Sequence, residues 1–525
     1  MAVYHNDGKG GFQRDNQALW ADTVSRDQTG IVGWGKAGFL AGSANYEDGQ
    51  ISGSALNLFQ AGKEQAIEML PAWDSSVGPL AAADYEGNGV LGLFVGARVK
   101  AGQYPVGAAS RLYRQRDGRL VLDEANTGVL AGVGLVSGAV WSDLDGDGFP
   151  ELILACEWGP LRIFHNDHGR LSATNFPLSF TLGTPKSEGS TLNELTGWWN
   201  GVSTADLDGD GRMDIIASNW GLNTKYRASA EHPRKMYYGD FRGGGSVDVI
   251  EAYYDERLRK EVPEREFEAV AEALPFLRGV FRTHRDFAIA GLAEVLGERA
   301  KQAREVSVNT LASMAFLNRT NGWVAQPLPF EAQIAPAFAV VVADFDGDGA
   351  EDVFLSQNFF ATQPQTTRAD AGRGVWLQGD GRGALTAVPG QRSGLAIYGE
   401  QRGAAAADYD HDGRVDLVVT QNGAPTRLFH NVGARPGLRV RLAGPPGNPT
   451  GVGATIRLRF GQRWGPAREV HAGSGYWSQD SPVQVMGTPE APSAVWVRWP
   501  GGYTQQVAIP PGAKEIEVRL ATKEP

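Results

Sequence analysis

The sequence predicts an all-β ring of repeats, and three observations carry that prediction. An acidic, glycine-rich segment recurs along the first 430 or so residues, with apolar runs such as Val353-Phe354-Leu355 and Leu417-Val418-Val419 on its flanks. Those runs are short and β-rich, as strands are. Composition agrees: 69 Gly, 28 Pro and 14 Trp in 525 residues suit many strands joined by turns better than long helices.

The fullest repeat runs from Ala139 to Leu154, with copies starting near Val202, Ala339 and Ala404. Each reads as apolar strand, acidic loop, apolar strand. Carboxylates fall at loop positions one, three, five and nine: Asp143, Asp145, Asp147 and Glu151; Asp206, Asp208, Asp210 and Asp214; Asp344, Asp346, Asp348 and Asp352; Asp408, Asp410, Asp412 and Asp416. Position six is Gly148, Gly211, Gly349 or Gly413, where the chain must turn. Position seven, Phe149, Arg212, Ala350 or Arg414, adds a backbone carbonyl. An oxygen-only set at this spacing suits Ca²⁺, which takes six to eight oxygens, better than Zn²⁺, which prefers nitrogen and sulfur. Metal-free Asp-Gly turns are the alternative, and four complete copies weigh against it. The reading is about four calcium sites.

Fainter copies fill the gaps. Asp84, Glu86 and Asn88 keep acceptors at one, three and five but have Gly92 at nine, a weaker fifth site; Asp240 and Asp248 flank Arg242, whose charge replaces an ion; Asn45–Gly49 is a trace. Strong and faint copies together make seven, and radial repetition is how a β-propeller hides its strand edges. The fold class is therefore a seven-bladed β-propeller with a small α-helical insertion, followed by a small C-terminal β-sandwich-like domain. The opening Val3–Phe12 reads as the second half of a repeat, which leaves room for an upstream segment, and Val3–Asn6 resembles Leu428–Asn431 and Ile163–Asn166. Pairing of the two chain ends would close the ring.

The long interval between Asp248 and Asp344 carries helical spacing, in Phe267, Val270, Leu274, Leu277 and Phe281 and again in Phe287, Leu292, Val295 and Leu296. The expectation is a helical insertion at about 256–305, with Pro263 in a first helical turn and Pro275 breaking the helix. A cap packed on the propeller is preferred to a lid. The propeller is assigned 1–435 and the second domain 436–525, where Pro436, Pro445, Pro446 and Pro449 punctuate short alternating strands. There His471, Gly473, Ser474, Gly475 and Tyr476 read as a structural glycine turn rather than a site.

A net charge of −11 argues against nucleic acid or an anionic membrane as partner. The single Cys156 excludes an internal disulfide, and no apolar run is long enough to insert in a membrane.

The acidic repeats resemble FG-GAP (VCBS) repeats. Residues 436–525 resemble the ASPIC/UnbV domain through Gly451-Val452-Gly453-Ala454, Gly473-Ser474-Gly475-Tyr476-Trp477-Ser478-Gln479 and Val497-Arg498-Trp499-Pro500-Gly501-Gly502. The combination is that of cartilage-acidic-protein-like (CRTAC) proteins and is integrin α-like in its propeller. This resemblance implies Ca²⁺ binding and an extracellular, periplasmic or cell-surface location, and it names no reaction.

If every loop projects from one face, the other strand ends gather on the opposite face. Those are Arg98; Glu157 and Trp158; Trp198, Trp199 and Asn200; Asn219, Trp220 and Asn223; Gln357, Asn358, Phe359 and Phe360; Glu400, Gln401 and Arg402; Gln421 and Asn422. Aromatic and amide groups around a central opening suit a protein, glycan or small-molecule ligand. The preferred function is a calcium-binding, ligand-binding or adhesion-type module. The alternative is a calcium-stabilised enzyme of a bacterial natural-product or carbohydrate pathway, with Glu157 or Glu400 as acid or base and Arg98 or Arg402 stabilising negative charge at the opening.

Overall fold

The computed structural model describes residues 2–521 apart from 22–23, 25, 36–37 and 182–189. Six sheets stand side by side, and we number them as blades one to six: residues 28–71, 75–122, 135–174, the paired segments 202–217 and 314–327, then 337–388 and 400–429. Their innermost strands are Gln28–Trp34, Ser75–Ala83, Leu135–Ser142, Val202–Ala205, Ala337–Ala343 and Glu400–Ala407, and each touches the next in that order. Blades two, three, five and six, and blade four around its insertion, run inner strand, acidic loop, second strand, third strand.

A blade is covered on both faces by its neighbours, so its strands are apolar on both. Every residue of Leu135–Ser142 is buried, as is every residue but one of Glu151–Pro160. The inner strands of blades one, two, three, five and six share one irregularity, a register shift near the end away from the turn into the second strand, as between Val136 and Gly138 or Gln401 and Ala404. A bulge bends and twists a strand, and repeated here it suits strands converging on an axis.

Each of the seven loop copies lies in a sheet of its own, but two are placed unexpectedly. Asn45–Gly49 joins the second and third strands of blade one, not the first and second, which meet at Trp34 and Gly38. The Asp240 copy belongs to a sheet inserted within blade four, built from Arg234–Gly239, Asp248–Asp255, Lys260–Pro263 and Arg304–Val308. That sheet does not separate blades four and five, whose inner strands touch; its strand 304–308 lies against 151–160 and 196–198 of blade three. The helices Phe267–Ala273, Leu277–Val280, His284–Ala288 and Leu292–Leu296 sit between its last two strands in chain order and bury Phe267, Leu274, Leu277 and Val295 against Ile250 and Ala252. Pro263 ends a strand rather than opening a helix, and Pro275 stands between the first two helices.

Among the described residues the chain ends do not pair with each other: Tyr4–Asn6 pairs with Phe12–Arg14, and Ala424–Phe429 with Asp416–Asn422. The hairpin is held from its sides instead: Asn6 bonds to the blade-six loop, and Val3 packs against the Leu19, Trp20 and Phe59 cluster of blade one.

Residues 436–521 form two sheets, one of Leu438–Ala443 flanked by Gln484–Met486 and a parallel Glu515–Arg519, the other centred on Thr455–Phe460 and Ala494–Arg498. Val440, Ile456, Val497, Trp499 and Val518 fill the space between them. The domain does not hang free of the propeller. It caps the loop-bearing face.

Candidate functional site

The four complete loops are built on one plan, set by backbone N–H groups that the acidic side chains accept from. The position-nine carboxylate clamps two segments. Asp214 accepts from Leu207 N at 3.0 Å and from Asn318 N at 2.7 Å; Asp352 accepts from Phe345 N at 3.0 Å and Gly379 N at 2.8 Å; Asp416 accepts from Tyr409 N at 3.1 Å and Asn431 N at 2.8 Å. Glu151 does the same for Leu144 N and Asn166 N. Position one accepts from the glycine of position six, Gly148 N to Asp143 at 3.0 Å and Gly349 N to Asp344 at 2.8 Å. Oxygens of Asp143, Asp145 and Asp147 lie within 4.8 Å of one another, as do those of Asp206, Asp208 and Asp210, and of Asp344, Asp346 and Asp348. Asp410 and Asp412 gather with His430, and Asp145 and Glu151 with His165.

Packing so many carboxylates raises their proton affinity. Burial, reinforced by the neighbouring carboxylates, pushes Glu151 up to about 9 and Asp214 and Asp352 up to about 8. Asp344 stands at about 7, and Asp143, Asp206 and Asp416 at about 6. Oδ1 of Asp206 and Oδ1 of Asp208 are buried without a hydrogen-bond partner. Buried anionic oxygens left over in a converging set fit a hard cation, whose charge would remove both penalties.

The C-terminal domain adds one arginine to each loop, which the sequence reading missed. Arg498 meets Asp143 at 2.7 Å, Arg439 pairs with Asp408, and Arg457 lies close enough to Asp206 to lower its proton affinity. Arg468 is bidentate on buried Glu351, at 2.8 and 2.7 Å, and acts on Asp344 through space. Each touches position one or its surroundings and leaves the outer carboxylates to other partners. The two degenerate loops differ. Glu86 is held by Arg114 and Arg116 at 3.3 Å, and Arg242 lies 2.7 Å from Asp248.

Residues 469–481 run from this domain into the axial channel and bond to the inner strands. Ser142 Oγ donates to Glu469 at 2.6 Å, Ala82 N to Ala472 O at 2.8 Å, Trp477 Nε1 to Ser137 O at 2.9 Å, Gly33 N to Gln479 at 2.6 Å and Ala406 N to Asp480 at 2.7 Å; Gly475 and Val202 exchange two bonds. Two glycines are required. A Cβ on Gly473 would lie 2.0 Å from Leu80 O and one on Gly475 2.7 Å from Val340 O, and both residues have positive φ. The segment expected to be a glycine turn is thus an axial plug, and the anticipated central opening is filled by Tyr476 and Trp477, stacked 4.7 Å apart.

The proposed ligand ring is accordingly dispersed. Trp199 is fully buried between blades three and four, against Phe316. Trp198 stacks on Trp220, Trp158 tilts against Trp198 and Tyr226 against both Trp198 and Trp220, in a cluster with Val306 and Val308 of the inserted sheet. The amides cap backbone: Asn200 donates to Ala337 O, Asn358 to Gly372 O, Gln357 to Glu331 O and Gln421 to Pro425 O, while Asn219 accepts from Trp198 N and Trp220 N. Arg98, Glu157, Arg402 and Asn422 do line a cavity, with Tyr476 and Trp477. Glu400 does not line it, and neither candidate carboxylate is free. Glu157 accepts from Arg98 at 2.8 Å, Tyr104 OH at 2.6 Å and Trp198 Nε1 at 2.9 Å. Burial pushes Glu400 up, but Phe360 N and Arg402, at 2.8 and 2.6 Å, outweigh it and hold the carboxyl below its usual range.

Against known proteins, residues 143–217 match the FG-GAP-like repeat and residues 444–525 the ASPIC and UnbV domain. The chain is similar to cartilage acidic protein 1 of Xenopus tropicalis, 24% identical over 318 residues, covering 58% of this chain and 43% of that protein. The match therefore spans under half the length of that relative. Among solved structures it is similar to the Dos1 propeller, with 12% identity, a TM-score of 0.31 and coverage of 97% of this chain and 100% of that one. It is also similar to the exotype rhamnogalacturonan lyase YesX, with 13% identity, a TM-score of 0.28 and coverage of 78% and 72%. No helix among the described residues is long and apolar enough to cross a membrane.

Proposed function

We propose, from the premise that this chain is an FG-GAP-repeat β-propeller carrying a C-terminal ASPIC/UnbV domain, that it works as a calcium-stabilised, adhesion-type binding module. The observation that carries the calcium reading is the set of buried loop carboxylates with raised proton affinity and unpartnered oxygens at Asp206 and Asp208. Positions one, three, five and nine would hold Ca²⁺, with the carbonyls of Phe149, Arg212, Ala350 and Arg414 as added ligands. The ion would supply positive charge at positions three and five, where Arg319, Arg212 and Arg414 now stand in the second and fourth loops. It binds the folded chain alone and so raises stability. Oxygen sites of this kind fill best in compartments rich in calcium, which supports an extracellular, periplasmic or cell-surface location.

Binding of a protein or carbohydrate ligand belongs to the face opposite the loops, because the C-terminal domain covers the loop face. Arg98, Arg402, Asn422, Tyr476 and Trp477 offer charge, amide and aromatic surface at one place there. Elemental analysis of the purified chain tests the calcium part. About four Ca²⁺ per chain, lost in EGTA together with thermal stability, supports it; a chain that melts identically with and without calcium refutes it. Arrays of glycans and extracellular proteins, probed with the calcium-loaded chain and with Arg402→Ala, test the ligand part. A ligand bound equally by both would lie elsewhere.

A further inference from the structure

Blades three and six share a register but not a covering. In blade three Ile163 stands opposite Ile153, and the two are 1% and 0% exposed beneath Val202 and Ile215 of blade four. In blade six Leu428 stands opposite Val418, the equivalent pair, yet Leu428 is 46% exposed, along with every residue from Ala424 to Leu428. Across the seam Ile31 of blade one is 39% exposed. Between them lies a cavity of about 780 Å³, whose walls include Ile31, Ala405, Val418 and Thr420.

The outer half of a blade already stands at this seam. The asparagine closing a blade's third strand reaches back to the position-two carbonyl of the preceding blade's loop: Asn166 Nδ2 to Tyr85 O at 2.9 Å, Asn318 to Leu144 O at 2.9 Å and Asn431 to Phe345 O at 2.8 Å. Asn6 Nδ2 makes the same bond to Tyr409 O of blade six, at 2.5 Å. Tyr4–Asn6 is therefore placed as the third strand of a seventh blade, and Phe12–Arg14 as its fourth. In complete blades the asparagine also donates to its own loop, Asn166 to Pro150 O and Asn431 to Val415 O, both at 3.0 Å, and the third strand pairs with a second. Among the described residues Tyr4–Asn6 pairs on one edge only. A free strand edge beside an uncovered apolar wall is the arrangement that accepts added strands.

We propose that the seam between blades six and one is a strand-acceptor site. Its occupant is an inner-blade hairpin of the same repeat type, an apolar strand, an acidic glycine loop and a second apolar strand, from outside these 525 residues. The hairpin would pair with Tyr4–Asn6, cover Val418 and Leu428, and present its loop to Asn6. The cavity is the one to which the ligand reading above is assigned, so hairpin and ligand would compete for it; the proposal itself rests on neither the calcium nor the ligand reading.

The probe is a synthetic peptide with the sequence of residues 400–422, added to the whole chain. Expected are saturable binding, a higher melting temperature and slowed amide exchange at residues 4–6. Leu428→Lys and Ile31→Lys alter exposed side chains, so they should weaken binding at least about tenfold while the free chain melts unchanged. Binding that ignores both substitutions, or leaves residues 4–6 exchanging as before, overturns the proposal. So does self-association of the chain that protects the same amides and that the peptide does not relieve. Should the free peptide aggregate, the same hairpin fused ahead of Val3 must protect residues 4–6 and bury Leu428; a fused hairpin that leaves them open also overturns it.

Discussion

The loops of blades two and three begin alike and are neutralised differently. At Asp143 to Glu151, the C-terminal domain supplies Arg498 to position one, and among the described residues the outer carboxylates have His165 as their one basic partner besides backbone N–H groups. At Asp84 to Asn88, Arg114 and Arg116 of the same blade hold Glu86, and position nine is Gly92. The inserted sheet repeats the second solution with Arg242 on Asp248. On the calcium reading, one turn geometry is held by an ion where positions one, three, five and nine are all carboxylates, and by a guanidinium from the chain where position three or nine is not.

Calcium removal bears on this contrast most heavily. Each ion that binds the folded state alone contributes about 2.7 kcal/mol at a hundred times its dissociation constant, so stripping four should lower the melting temperature by about 10 °C or more. A smaller change would mean that the four arginines suffice. The next largest effect is expected at Arg468→Met, which strands buried Glu351 and should cost about 3–5 kcal/mol in denaturant unfolding. Arg242→Met, at a half-exposed pair, should cost no more than about 1 kcal/mol. Equal losses would erase the distinction between the two kinds of loop.

Ion counting sharpens the contrast at single positions. Asp352→Asn should remove one of four calcium ions and lower stability only when calcium is present, whereas Asp248→Asn should leave the count unchanged. The smallest expected effect concerns the plug. Burial raises Asp480 to about 6 from an ordinary value of 3.8, although Ala406 N donates to it. A raised folded-state value means that the stabilising protonated form is lost as pH rises through about 6. Asp480→Asn, which keeps an acceptor, should therefore melt slightly higher than the parent at pH 8 and equally at pH 4.

The repeat, its loop positions and the second domain were legible because each is local: carboxylate spacing, glycine at position six and short apolar flanks all lie within about twenty residues of chain. What escaped reading depends on residues far apart. Arg439, Arg457, Arg468 and Arg498 look like ordinary charges on strands until the domain is docked on the loops. The Gly473–Gly475 segment shows two glycines suited to a turn, and only the walls at Leu80 and Val340 reveal why no side chain fits. Their place at strand ends points Asn200, Asn219, Gln357 and Asn358 to a ligand face, because polar groups around an opening need partners; backbone groups supply those partners. The Asp240 copy misled for another reason. A repeat signature marks a loop between two strands, not whether their sheet stands in the ring.

The plug also fixes an order of events. Residues 469–481 bond to inner strands of blades one, two, three, four and six, yet they follow all six blades in the chain and leave a ribosome after them. Every blade must wait, with its axial edge open to water, for a keystone made after all of them. The axis of the ring is consequently closed by residues made after its six blades, and nascent chains stopped short of residue 469 would expose that edge to whatever chaperone or protease meets them.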